Sequence, residues 1–154
     1  MAYPFRVILS PLQFDENSVA AMTLAKEIAE RNGATIHLLH VVPILPALGE
    51  APIEEHVDSV EEGKARKLME DLAQKYLQGM NHKLIVHGAF PSETAHAVVE
   101  VAKELNADLI VMTTHGRTGL PHFFMGSVAE GVMRAAPCPV LTIKPEHLTD
   151  RIVK

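Results

Sequence analysis

Five short apolar runs, separated by stretches whose apolar residues recur at helical spacing, constrain this chain more than any other feature. Phe5-Arg6-Val7-Ile8-Leu9 ends at Ser10-Pro11, and Thr35 to Val42 follows Gly33; both read as strands. Between them Val19, Met22, Ala25, Ile28 and Ala29 keep a helical period, with Asp15 as N-cap and Asn32-Gly33 as the stop. Pro43 to Pro52, with three prolines and a glycine, reads as an irregular loop. A longer helix is expected over Glu54 to Gln78, with Val57, Val60, Leu68, Leu72 and Tyr76 as its apolar stripe and Gly79 closing it. Lys83 to Gly88 is a third strand, and Pro91 opens a helix carrying Ala95, Val98, Val99, Ala102 and Leu105. Asp108-Leu109-Ile110-Val111-Met112 is almost continuously apolar, as suits a strand buried on both faces. A loop from Thr113 to Met125, a helix from Ser127 to Arg134 and a strand Pro139 to Ile143 complete the series. Strict alternation leaves one economical solution: an α/β fold with an open five-stranded parallel sheet and helices on both faces, because crossovers between parallel strands are right-handed.

The length of 154 residues fits a single domain spanning residues 1–154. With 47% hydrophobic and 21% charged residues the chain is no disordered segment, and no apolar run approaches the roughly eighteen residues a bilayer demands. The start, Met1 to Arg6, lacks the basic and long apolar regions of a secretory leader, so a cytoplasmic protein is expected. A net charge of −5 argues against nucleic acid as partner. Lys64, Arg66 and Lys67 cluster, but beside Glu61 and Glu62 on the same helix, with Glu62 and Arg66 paired at i,i+4, they read as a solvated face. The lone Cys138, between Pro137 and Pro139, reads as a small apolar filler.

In an open sheet of this kind ligands collect beyond the carboxyl ends of the strands, where strand order reverses. The walls of such a site are Ser10 to Gln13, Val41 to Ile44 and Met112 to Gly116. The stretch Thr113-Thr114-His115-Gly116-Arg117-Thr118-Gly119, then Gly126-Ser127-Val128-Ala129-Glu130, carries the chemistry. Glycines let the loop approach a ligand, and the chain passes directly into a helix N-terminus whose unpaired amides favour an anion. Ser127 adds a hydroxyl, Arg117 or His115 adds charge, and no acid lies between Thr113 and Ser127. Ser127-x-x-Glu130 also matches a capping box, and the two readings are compatible.

These residues resemble the universal stress protein family over nearly the whole chain, from Arg6-Val7-Ile8-Leu9-Ser10-Pro11 through Ala107 to Met112 and on to Ala136-Pro137-Cys138-Pro139-Val140-Leu141. Nucleotide-binding members carry G-x2-G-x9-G-[S/T]; here Gly116, nine residues and Gly126-Ser127 match, while Thr113 replaces the first glycine. Such members also place an aspartate in P-x-D after the first strand, where this chain has Pro11-Leu12-Gln13. The resemblance implies a Rossmann-like fold of the adenine nucleotide alpha hydrolase type. It implies that ATP, with or without Mg, is the ligand. The backbone near Val41 would meet adenine, and Pro11, Leu12 and Gln13 would line base and ribose. Gly116, Gly126, Ser127 and Val128 would hold the phosphates, and Met112, Thr113 and Arg117 complete the expected nucleotide-binding set. It also implies a homodimer through the fifth strands, at Val140, Leu141, Thr142 and Ile143, and a place in the stress response.

Nine histidines invite a metal site, but their spacing supports none: His37 and His40 fall on opposite faces of a strand, and His82 and His87 straddle a strand start. Met22, Met69, Met112 and Met133 read as core filler. A phosphohydrolase needs a positioned water, a base and usually a metal-binding carboxylate, and Gln13 removes the nearest one, so the expectation is binding with at most slow ATP hydrolysis. Three functions follow: a nucleotide-binding regulatory dimer, a nucleotide-free dimeric interaction module, and an enzyme acting on another phosphorylated small molecule. The first is the expectation.

Overall fold

The computed structural model describes residues 4–44, 59–114 and 126–144. In chain order they form β1 (Val7–Pro11), α1 (Glu16–Asn32), β2 (Thr35–Pro43), α2 (Ser59–Tyr76), β3 (His82–Ala89), a 3-10 turn (Pro91–Glu93), α3 (Thr94–Glu104), β4 (Leu109–Thr113), α4 (Ser127–Ala135) and β5 (Val140–Ile143). The strands make one parallel sheet in the order β3-β2-β1-β4-β5, with Ile8 beside Ile36 and Leu109, and Ile110 beside Val140. The chain therefore steps outward from β1 to β3, returns to the other side of β1 at β4, and ends on an edge at β5. The reversal lies between β1 and β4.

Alternation along each strand splits the core in two. Ile8, Ile36, Leu38 and Val111 pack under α1 and α2 with Met22, Ala25 and Met69; Leu9, Leu39, Ile110 and Met112 pack under α3 and α4 with Val98 and Val132. Leu109 through Met112 are all buried, as the apolar run demands. Local chemistry fixes the helix ends. The Asp15 carboxylate accepts from the Ser18 amide at 2.7 Å, and Gly33 closes α1 in the left-handed region at φ 64°. The Asp108 carboxylate accepts from the amides of Arg6 and Val7 at 2.8 and 2.9 Å, locking the start of β4 to that of β1. The Glu62–Arg66 pair forms at 3.6 Å on exposed α2.

Several expectations need correction. α2 buries Ala65, Met69 and Ala73, while Val60 and Leu68 are 59% and 48% exposed; of the anticipated stripe only Leu72 and Tyr76 pack against the core, and Val57 lies outside the described residues. Pro91 starts a 3-10 turn, and the α-helix proper begins at Thr94. Met133 is exposed, unlike Met22, Met69 and Met112. Cys138 is partly buried against the second core cluster, where burial and the nearby Asp108 charge push its thiol above the ordinary value, as suits a filler. Of the proline-rich stretch only Pro43 and Ile44 are described, and Pro43 still belongs to β2. No helix among the described residues is long and apolar enough to cross a membrane.

Candidate functional site

At the strand-order reversal, beyond the carboxyl ends of β1, β2 and β4, opens a cavity of about 400 Å³. Its floor is the strand ends: Pro11 of β1 with Leu12 and Gln13 after it, Val41 and Pro43 of β2, Met112 and Thr113 of β4. Its far wall is Gly126 and the first turn of α4, Ser127, Val128 and Ala129. All the sequence-predicted site residues that are described come together here; Gly116 and Arg117 lie outside the described residues. Of the anticipated walls, Ser10, Val42 and Ile44 do not line the cavity; Ser10 turns into the core, fully buried with its hydroxyl unpartnered, and Val42 and Ile44 are buried as well.

Helix geometry gives the far wall its character. The Glu130 amide bonds the Gly126 carbonyl at 3.0 Å, the first bond of α4, so the amides of Ser127, Val128 and Ala129 have no intrahelical acceptor. Gly126 is the N-cap, without a side-chain cap, and its own amide bonds the Thr114 carbonyl at 2.6 Å, which sets the helix start against the end of β4. The capping box does not form: Ser127 is the first helical residue, and Glu130 bonds Arg134 at 2.6 Å one turn on. The glutamate finds a guanidinium at i+4 and does not turn back to cap the first turn.

The near wall is a tight turn. The Leu12 amide bonds the Leu39 carbonyl at 2.8 Å, the Gln13 amide bonds the Ser18 hydroxyl at 3.2 Å, and Phe14 sits in the left-handed region at φ 61°. His40, on β2, sets its Nδ1 2.7 Å from the Leu12 carbonyl. Asp15 is thereby occupied as the α1 cap and does not stand in for a carboxylate at Gln13. Leu39, Val41, Pro43, Val98 and Met112 supply apolar wall, and a few polar groups converge on it, the usual make-up of a small-molecule site. Sequence reading missed Ser18, His40, Pro91, Thr94 and Val98. His40 had a readable signal, standing beside Val41 at the end of a strand; Thr94 and Val98 had none, because only the packing of α3 brings them there. Among the described residues no group of three or more His, Cys, Asp or Glu is placed to hold a metal ion.

Sheet order, crossover pattern and a cavity at the reversal define a doubly wound, Rossmann-like α/β domain. Within that class the chain belongs to the universal stress protein family, whose model matches residues 4–144. It is 31% identical over 143 residues to universal stress protein A homolog 1 of Coxiella burnetii, covering 90% of this chain and 96% of that one. A universal stress protein of Methanocaldococcus jannaschii is 33% identical over 150 residues, 91% of this chain and 82% of its own. Among solved structures, the universal stress protein UspA of Lactobacillus plantarum superposes with a TM-score of 0.69 at 26% identity, covering 90% of this chain and 97% of that one. Two more distant structures of the same fold, both 18% identical, were determined in complex with cAMP and, from Archaeoglobus fulgidus, with dAMP; their TM-scores are 0.65 and 0.67, and they cover 91% and 93% of this chain and 97% and 100% of their own.

Proposed function

We propose that this protein binds an adenine nucleotide, ATP with or without Mg, in the cavity between β1, β2 and β4, and acts as a cytoplasmic regulatory homodimer of the stress response. One observation carries the reading: three amides without intrahelical acceptors, at Ser127, Val128 and Ala129, front an apolar-floored cavity at the strand reversal. An apolar slot suits a purine, and a helix start suits phosphate. The cAMP and dAMP complexes of distant relatives support the same class of ligand. In this arrangement Val41, Pro11, Leu12 and Gln13 take base and ribose, and Met112, Thr113, Gly126, Ser127 and Val128 face the phosphates, joined by Gly116 and Arg117 of the loop.

The described lining contains no carboxylate, so a Mg ion would ride on phosphate oxygens and no carboxylate base is at hand. That donor set supports at most slow hydrolysis. The dimer reading rests on β5 as an apolar edge strand, with Leu141 38% exposed.

Nucleotide released from denatured protein, and calorimetric titration of emptied protein with Mg-ATP and AMP, test the reading. Saturable binding is expected, lost in Gly126→Val and kept in Lys67→Ala on the exposed face of α2. Thr113→Gly, which removes a β-branched side chain from the cavity, and Gln13→Asp should each tighten it. Absence of binding at millimolar nucleotide would leave the nucleotide-free interaction module.

A further inference from the structure

We propose that His40 is a positioning residue of this site, which holds the β1–α1 turn so that Gln13 is presented to the ligand; the inference rests on the nucleotide reading above. A carbonyl oxygen only accepts, so at 2.7 Å from the Leu12 carbonyl the His40 Nδ1 must carry the proton and donate. Leu12 is thereby held on both sides by β2, its amide by the Leu39 carbonyl and its carbonyl by the His40 ring. The next residue, Gln13, has its amide tied to the Ser18 hydroxyl, which itself donates to the Asp15 carbonyl at 3.1 Å. Phe14 then adopts φ 61°, a conformation that a bulky residue keeps only where its surroundings over-determine it. Here they do: the Phe14 ring lies 4.4 Å from the His40 ring, centroid to centroid, tilted by 41°. One imidazole thus fixes the residue before Gln13 by a hydrogen bond and the residue after it by ring contact. Gln13 and His40 both line the cavity, so the backbone from which Gln13 faces it is held from the β2 side.

The test is a double-mutant cycle on AMP affinity, measured calorimetrically on the full chain. His40→Phe keeps a ring against Phe14 and deletes the donor; His40→Asn restores a donor at the place of Nδ1. His40→Phe should weaken AMP about tenfold, the equivalent of about 1.4 kcal/mol, and His40→Asn should recover most of it. If His40 acts through Gln13, then Gln13→Ala with His40→Phe should bind no more weakly than Gln13→Ala alone. Full additivity, or wild-type affinity in His40→Phe, overturns the inference while leaving nucleotide binding intact; the cycle is read on Mg-ATP where AMP does not bind, and a wild-type chain that binds neither removes both. Should His40→Phe not fold, proton–nitrogen correlation spectra of the wild type decide: a His40 ring carrying a proton on Nδ1, with the Gln13 side-chain amide moving on AMP addition, is expected, and a ring protonated at Nε2 only or a silent Gln13 overturns it.

Discussion

Gly131 sits mid-way along α4, and a Cβ built there would stand 2.7 Å from the Ala95 Cβ of α3, its close contact among the described residues outside its own helix backbone. Carbon atoms in ordinary contact are about 3.5–4.0 Å apart, so Gly131→Ala must separate the two helices locally by roughly 1 Å. Neither atom is the tip of a flexible side chain, so the shift falls on backbone. Overpacking of this kind costs about 1–3 kcal/mol, and the better helix propensity of alanine returns about 0.8–1.0 kcal/mol, for a net loss between about zero and 2 kcal/mol. In an Ala95→Gly background that close contact is gone, and the same substitution should stabilise by about 0.8–1.0 kcal/mol. Urea unfolding of the four variants measures the difference directly; it should be about 1–3 kcal/mol between backgrounds. Because Thr94 and Val98 of α3 and Ser127 to Ala129 of α4 line the cavity, nucleotide affinity should fall in Gly131→Ala and recover with Ala95→Gly. An identical effect of Gly131→Ala in both backgrounds would refute the contact as the cause.

His37 is buried with its Nδ1 unpartnered, and burial, then the Lys83 charge, hold the imidazole below its ordinary value against an opposing backbone hydrogen bond at Thr35. The unfolded chain therefore takes up a proton first, so stability should decline as pH falls below 6.5 and level off once the lower folded value is passed; His37→Leu should flatten that part of the urea-midpoint profile, and an unchanged slope counts against the assignment. Asp108→Ala strips two backbone amides of a charged acceptor and should cost about 2 kcal/mol, seen as a Tm drop of several degrees, with Asp108→Asn milder because one oxygen remains. Leu141→Arg on the edge strand should convert a dimer to a monomer in light scattering without unfolding it; a wild type that is already monomeric disposes of the β5 interface.

The order of elements was legible because each carries a local signal. The Leu109-to-Met112 run needs cover on both faces, Asp15 is placed to cap α1, and Gly33 takes the left-handed stop that a side chain resists. The candidate cavity was legible too, since helices on both faces of an open parallel sheet require a reversal in strand order, which places Pro11, Val41 and Thr113 at one end of the sheet. What sequence could not supply was choice among locally equivalent options. Periodicity says which α2 residues share a face, but the docking of the helix on the sheet decided that Ala65, Met69 and Ala73 turn inward and Val60 and Leu68 stay outside. Ser127 and Glu130 have the spacing of a capping box, yet Gly126 takes the cap position and Arg134 takes the glutamate. His40, Thr94 and Val98 reach the cavity from elements far apart in the chain, and the Gly131–Ala95 approach exists only where two helices cross. Short-range spacing and capping are properties of the chain itself; contact across distant segments depends on packing distances that are settled only when the whole core closes.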